Sequence, residues 1–441
     1  VIAAVLAVLV ACAAPWAFGA AEPLWWGIAS AACLLVALPP LVAAALRGAR
    51  PGDPPGDLGR LALALPLVAA VGLIPIPMAL RRIVSPSAAE VLADADPSAA
   101  DAWRPISLDP HATAGAAVAA AACAAMFWLV LRAARDPAHA RVLRTVVAVA
   151  GTALALFGIW HRLFHYDQRA VYWGGWRQEL PDVATPFGPY VNRNHFAGAM
   201  LLFAGVAAGP ALAAASARRF AAAVPPFAAA AVMLVALGAT TSRGGLVGLA
   251  AGALFLVAAS RRTGRARVLF GVAGAAVVVV AAMAAMGLLG ELATRFHVVL
   301  TSRERNRFAV QWDALRVFAG NPVFGTGAGT FAGVYPPFQT VDDIRFFGNA
   351  HGDWAQFLME TGLVGAAFVA FAAAKTAGLA RRAAKDADPR RWLVLGPAAG
   401  CLAVCVHGLF ETNLHLPANA LLFAATLSLA FAASFRRDAA E

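Results

Sequence analysis

His351 stands where a 60-residue polar stretch (291–350) gives way to a new apolar run, in the order Asn349-Ala350-His351-Gly352-Asp353-Trp354. An imidazole so placed can take the proton of a hydroxyl group near neutral pH, the work of a general base. Two further polar clusters stand at the starts of apolar runs. Asn192-Arg193-Asn194-His195 closes a Gly/Pro-rich stretch from Pro186, and Thr241-Ser242-Arg243-Gly244-Gly245 separates two runs that nearly touch. Asn192 or Asn194 can cap the helix after the first cluster, and Ser242 the helix after the second. A helix start offers unpaired N–H donors and partial positive charge, and a neighbouring guanidinium adds a planar, two-pronged donor, so Arg193 and Arg243 are suited to phosphate oxygens. Three such starts at one depth would make a diphosphate cradle beside a base. The same positive surroundings disfavour imidazolium, so His351 is expected to be neutral.

The elements that must hold these residues are helices in a bilayer. With 61% hydrophobic residues, 13% charged residues and a mean hydropathy of +0.70, the apolar residues fall in runs long enough to cross a membrane, which excludes an ordinary water-soluble domain. The expected fold is an all-α polytopic membrane protein, one integral domain over 1–441. About twelve spans are read near 2–20, 24–46, 61–80, 112–131, 142–160, 195–215, 224–240, 243–260, 268–290, 352–374, 392–411 and 416–435. With the N-terminus in the cytoplasm, the basic clusters around Arg47, Arg132, Arg218, Arg261, Arg381 and Arg436 all fall in short inner loops or tails, as the positive-inside rule requires. The net charge of +11 then orients helices and calls for no nucleic acid. Three long loops, 81–111, 161–194 and 291–350, face outward, the last before the tenth helix.

The remaining motifs are weaker. Cys12, Cys33, Cys123, Cys401 and Cys405 all lie in predicted spans and read as packing residues. The first span is read as a retained helix, since no basic stretch precedes it. Pro75 and Pro77 suggest a kink in the third span. Arg305, Phe308, Trp312 and Arg316 share one face of a helix ended by Asn321-Pro322, suited to the headgroup layer. Gly325, Gly327 and Gly329 form a flexible turn, but without the strand–helix surroundings of a nucleotide loop. Asp342-Asp343 has no third ligand at useful spacing, so no metal site is expected. Glu360, on the stripe of Asp353 and Gln356, is expected to bond to a neighbouring helix rather than to His351.

Four motifs in order resemble the O-antigen ligase and polymerase superfamily. They are Asn192-Arg193-Asn194-His195-Phe196-Ala197-Gly198; Thr241-Ser242-Arg243-Gly244-Gly245; Trp312 with Asn321-Pro322-Val323-Phe324-Gly325-Thr326-Gly327; and Ala350-His351-Gly352-Asp353-Trp354 with Glu360-Thr361-Gly362-Leu363-Val364-Gly365. The resemblance implies a C-type glycosyltransferase (GT-C) fold in the bacterial inner membrane with a periplasmic active site, while the inner basic clusters place both termini in the cytoplasm. It implies transfer of a glycan from undecaprenyl diphosphate with inversion, without a metal ion or cofactor. His351 would be the base and Arg243 the diphosphate ligand, with Arg193 and Arg305 or Arg316 as further ligands and Asn192, Asn194, His195 and Ser242 in support. Gly352 departs from the family, which commonly has Asn after the histidine, and so lacks one hydrogen bond expected there. The acceptor would be a lipid A-core sugar for a ligase, the favoured reading, or a second lipid-linked glycan for a polymerase; no residue reads it directly.

Two other classes compete. A twelve-helix transporter or flippase would need broken helices or charges at mid-bilayer, whereas the polar residues here gather outside the spans. A structural assembly subunit would tolerate substitution of the histidines and arginines at the rim.

Overall fold

The computed structural model describes residues 1–47, 56–96, 102–164, 170–173, 176–179, 185–260, 265–297, 302–341 and 346–434. Helices α1 (Ile2–Ala13), α2 (Pro23–Arg47) and α3 (Gly56–Ala70) are followed by the short α4 (Met78–Val84) and α5 (Pro86–Ala95). Then come α6 (Pro110–Ala133), α7 (Pro137–Phe164), α8 (Arg193–Ser216), α9 (Phe220–Ala239), α10 (Arg243–Ala259) and α11 (Arg265–Ala285). Helices α12 (Leu289–His297), α13 (Ser302–Gly320) and α14 (Phe331–Val334) structure the long loop, and α15 (Asp353–Lys385), α16 (Trp392–His407) and α17 (Pro417–Ser434) complete the chain. Each of the apolar stretches expected to span contains a helix, though those in the third and the eleventh stretches end short of the expected bounds. Among the described residues, eight helices are long and apolar enough to cross a membrane: α2, α6, α7, α8, α9, α11, α15 and α17. Helices α1, α3, α10 and α16 are shorter. The chain is an all-α multi-pass membrane protein.

The third span ends earlier than expected, and the reason is local. Pro75 and Pro77 do not kink a helix; they form β1 (Pro75–Pro77), which pairs antiparallel with β2 (Trp103–Pro105). A proline fixes its own φ and pushes the residue before it toward extended backbone, so Pro-x-Pro favours a short strand over a helical turn. Arg81, fully buried, donates to the carbonyl oxygens of Arg104, Pro105 and Ile106 and ties this pair to α4. A second antiparallel pair, β3 (Ala170–Trp173) with β4 (Trp176–Glu179), lies in the loop before α8.

Helices α8, α10 and α16 meet backbone to backbone. Gly205 and Gly209 of α8 face Gly400 and Gly396 of α16: a Cβ on Gly205 would lie 2.7 Å from Gly400 Cα, and one on Gly396 2.5 Å from the Gly209 nitrogen. On a neighbouring stripe of α16, a Cβ on Gly248 or Gly252 of α10 would lie 2.5 Å from Ala403 O or 3.0 Å from Ala399 O. Each helix presents glycines four residues apart, the small-residue spacing that lets membrane helices approach closely where no hydrophobic drive exists between them.

Helix α15 is broken. Gly362 has φ 60° and ψ −155°, a conformation open essentially to glycine alone. The break frees two N–H donors and two carbonyls, and the loop at 322–327 takes all four. Leu363 and Val364 donate to Pro322 O and Val323 O at 2.8 and 3.1 Å, while Thr326 and Gly327 donate to Met359 O and Glu360 O at 2.9 and 3.0 Å. The glycines after Pro322 are thus not a loose turn but a backbone splint: a Cβ on Gly325 would lie 2.5 Å from the carbonyl carbon of Glu360. Glu360 accepts from Gly329 N–H (2.8 Å), just past this loop, and from Phe331 N–H (3.3 Å) at the start of the short neighbouring helix α14. Helix α13 packs on α15 through buried Val310, Ala314 and Val317. Its buried Asp313 accepts from the Tyr335 hydroxyl (3.0 Å) and from the Thr340 N–H and hydroxyl (2.9 and 2.7 Å), which ties down the rest of the loop.

Candidate active site

The polar clusters at the starts of α8 and α15 meet on a residue that lies outside all four motifs. Glu411, 1% exposed, sits in the loop 408–416 between α16 and α17. The eleventh span therefore ends at His407, not at residue 411. Asn194 donates its side-chain amide to Glu411 Oε2 at 2.6 Å and Asn192 at 3.4 Å, while Arg307 Nη1 lies 3.6 Å from the same oxygen. Against Oε1 stand His351 Nδ1 at 3.6 Å and His195 Nε2 at 3.9 Å, both longer than a hydrogen bond. Burial acts to raise the Glu411 pKa, but Arg307 and the two histidines outweigh it and hold the group well below the ordinary carboxylate range. Glu411 is an anion enclosed by donors.

Each partner is placed by its own local structure. Asn192, not Asn194, caps α8, accepting from Asn194 N–H at 2.8 Å, and Ser242 caps α10, accepting from Gly245 N–H at 3.2 Å. His351 does not open a helix. It lies two residues before α15 in left-handed backbone (φ 56°), a conformation that costs a residue with a Cβ roughly 1–2 kcal/mol. Its N–H donates to Asn349 Oδ1 at 3.2 Å and its carbonyl accepts from Gln311 Nε2 at 2.9 Å. The room left by Gly352, where a hydrogen bond was expected to be missing, is filled by the Gln311 side chain.

Asp353, the first residue of α15, clamps the Glu411 loop. Its carboxylate accepts from Asn413 N–H and Leu414 N–H, each at 2.9 Å, and from His415 Nδ1 at 2.8 Å. His415 Nε2 lies 3.9 Å from Glu360 Oε2, so one imidazole bridges both carboxylates of the helix start. Burial lowers the His415 pKa, but the hydrogen bond to Asp353 and the charge of Glu360 outweigh it and lift the value above 6.5. A raised folded-state pKa gives stabilisation that is complete below about pH 6.5 and fades as pH climbs through the raised value. Thermal midpoints of detergent-purified protein are therefore expected to fall on moving from pH 6 to alkaline pH, and a His415→Gln variant to lose that part of the slope. An unchanged slope in the variant would remove His415 as its source.

The proposed diphosphate ligands separate. Arg193 Nη1 lies 3.8 Å from a second carboxylate, Glu291 of α12; Arg162 Nη2 (2.6 Å) and the Thr241 hydroxyl (3.0 Å) meet the same group. Arg243 is half-buried at the first turn of α10, next to Gly244, whose Cβ position lies 2.7 Å from the ring of His407, the residue that ends α16 one turn before Glu411. Arg316 is not brought to the site. Its side chain is 61% exposed, 3.9 Å from Asp313 and 5.9 Å from the Trp312 ring. Phe308 and Trp312 are exposed beside it; the Arg305 side chain lies outside the described residues. Among the described residues of the long loop, Arg307 reaches the cluster. Asp342-Asp343 also lies outside the described residues, and among those described no group of three His, Cys, Asp or Glu side chains is set to hold a metal ion. Among the described residues the five cysteines are free thiols.

Glu411, His407, His415, Arg307 and Gln311 were absent from the sequence-based candidates. The available signal was the polar string Glu411-Thr412-Asn413-Leu414-His415 wedged between two apolar runs.

Residues 228–370 match the family model described as O-antigen ligase. The matched segment takes in Ser242, Arg243, α13 and His351, while Asn192–His195 and Glu411 lie on either side of it. The fold is that of a multi-pass membrane protein, and over residues 228–370 the chain is similar to the O-antigen ligase family. That similarity supports O-antigen ligase or polymerase activity in general. None of the curated proteins matches the chain.

Proposed function

We propose that the chain is an O-antigen ligase-type GT-C enzyme that moves a glycan from undecaprenyl diphosphate to a lipid A-core hydroxyl at the periplasmic face of the inner membrane. The observation that carries this reading is the pairing of His351 Nδ1 with buried, anionic Glu411, next to a helix start that bears arginine. With Nδ1 turned to the carboxylate, Nε2 is left for the acceptor. The acceptor oxygen attacks the anomeric carbon as its proton passes to His351 Nε2, and the bond from that carbon to the diphosphate oxygen breaks with inversion. Glu411 stabilises the imidazolium that forms, and the charge on the departing diphosphate meets arginine donors, Arg243 and Arg193. Arg193 already faces a carboxylate, Glu291, whose place an incoming phosphate would take. Both termini lie in the cytoplasm on this reading, since basic residues crowd the short loops opposite the site.

The test offers purified protein an undecaprenyl-diphosphate glycan with lipid A-core, and separately with a second lipid-linked glycan. Consumption of lipid A-core supports a ligase; consumption of the lipid-linked glycan alone replaces it with a polymerase; consumption of neither sinks the reading. Arg243→Lys is expected to raise the donor KM roughly tenfold, because an ammonium cannot reproduce a two-pronged contact. Wild-type initial rates across donor concentrations in that variant would remove Arg243 from the diphosphate site.

A further inference from the structure

We infer that Gln311 is a positioning residue for His351, and that residue 352 is glycine in order to leave the Gln311 amide its place. The inference rests on the reading of His351 as the base.

The backbone of Gly352 gives no reason for glycine, since φ −163° is extended backbone open to any residue. The reason lies opposite. A Cβ at residue 352 would stand 2.7 Å from both Cδ and Oε1 of Gln311 and 3.0 Å from Nε2, so its three nearest neighbours all belong to that one side chain. The amide so accommodated donates from Nε2 to the carbonyl of His351 at 2.9 Å, at the residue whose left-handed backbone most needs support. Asn349 Oδ1 holds the His351 N–H from within the same loop, and the Phe347 ring stands edge-on to the imidazole at 6.2 Å. Gln311 acts from a different element, α13. One turn earlier on that helix, Arg307 faces Glu411 at 3.6 Å. A single stripe of α13 therefore touches both members of the His351–Glu411 pair, which the chain supplies from loops 60 residues apart. The span between an imidazole and its carboxylate is set by a helix that belongs to neither, and misplacement by an ångström is enough to slow a proton transfer substantially.

The experiment is a double-mutant cycle in proteoliposomes, read as kcat and donor KM with the acceptor that the wild type consumes. Gln311→Ala and Gly352→Ala are each expected to lower kcat roughly tenfold with donor KM within about twofold, and the double variant to be no slower than Gln311→Ala. Gln311→Glu, which keeps the size and loses the donor, is expected to match Gln311→Ala and carries the test if the alanine variant does not fold. Wild-type kcat in Gln311→Glu, or losses that multiply in the double variant, would overturn the inference. Failure of the functional reading looks different: the wild type itself then transfers nothing, and the inference falls with it.

Discussion

Replacement of His351 by asparagine is expected to lower glycan transfer by at least about a hundredfold while the protein still inserts and purifies as a single species. General-base catalysis contributes on the order of 10²–10⁴ in rate, and asparagine supplies no group that takes a proton at neutral pH. Asparagine is the informative choice because residue 351 holds φ 56°, a region that asparagine tolerates better than most residues, so the variant removes the imidazole and spares the backbone. His351→Ala should be equally inactive but less stable. Single-turnover transfer from bound donor separates chemistry from binding: donor affinity should persist in both variants. A His351→Asn protein that transfers at the wild-type rate would remove the general-base role.

The second large effect is expected at Glu411. Glu411→Ala strips the buried counter-charge from Arg307 and leaves two imidazoles and two asparagine amides facing an empty space. Breaking a buried charged pair from one side costs on the order of 3–5 kcal/mol, so the alanine variant should show a clearly lower thermal midpoint. Glu411→Gln keeps the shape and an acceptor for Asn194, and it should separate the two roles: most of the stability returns, while kcat stays roughly a hundredfold low because no anion stabilises the imidazolium. Full activity in Glu411→Gln would disconnect the carboxylate from the chemistry. The wild-type pKa, held below the ordinary 4.5, adds a further check. Stabilisation from a depressed carboxylate is present above its unfolded value and fades as pH falls through the folded one, so this contribution should fade only below about pH 4.5, and only when Glu411 is present.

The bilayer made most of the fold legible, because an apolar run of sufficient length has few alternatives to a helix there. What escaped was whatever a hydropathy average smooths over. Pro75 and Pro77 sat in an apolar run, yet their backbone restrictions produced a strand. Glu411 was absorbed into the end of a span by the apolar residues before it, so the carboxylate at the centre of the site went unseen. On α13 the helical period was correct but ambiguous: Arg305, Phe308, Trp312 and Arg316 make one stripe, Arg307 and Gln311 another, and spacing does not tell which stripe faces protein. The clusters at 192–195 and 241–245 were readable because capping residues beside glycines and arginines leave a local mark, independent of what packs against them.

The glycine contacts among α8, α10 and α16 have a consequence that reaches the rim. These helices carry Asn194, Arg243 and, just past the end of α16, Glu411, and no layer of side chains between their axes can yield and absorb displacement. From Gly205 to Asn194 is about 16 Å along α8 at 1.5 Å per residue. A shift of one axis deep in hydrocarbon is thus transmitted to the polar cluster as if along a rod, and the spacing of groups that meet water is calibrated by atoms that never do.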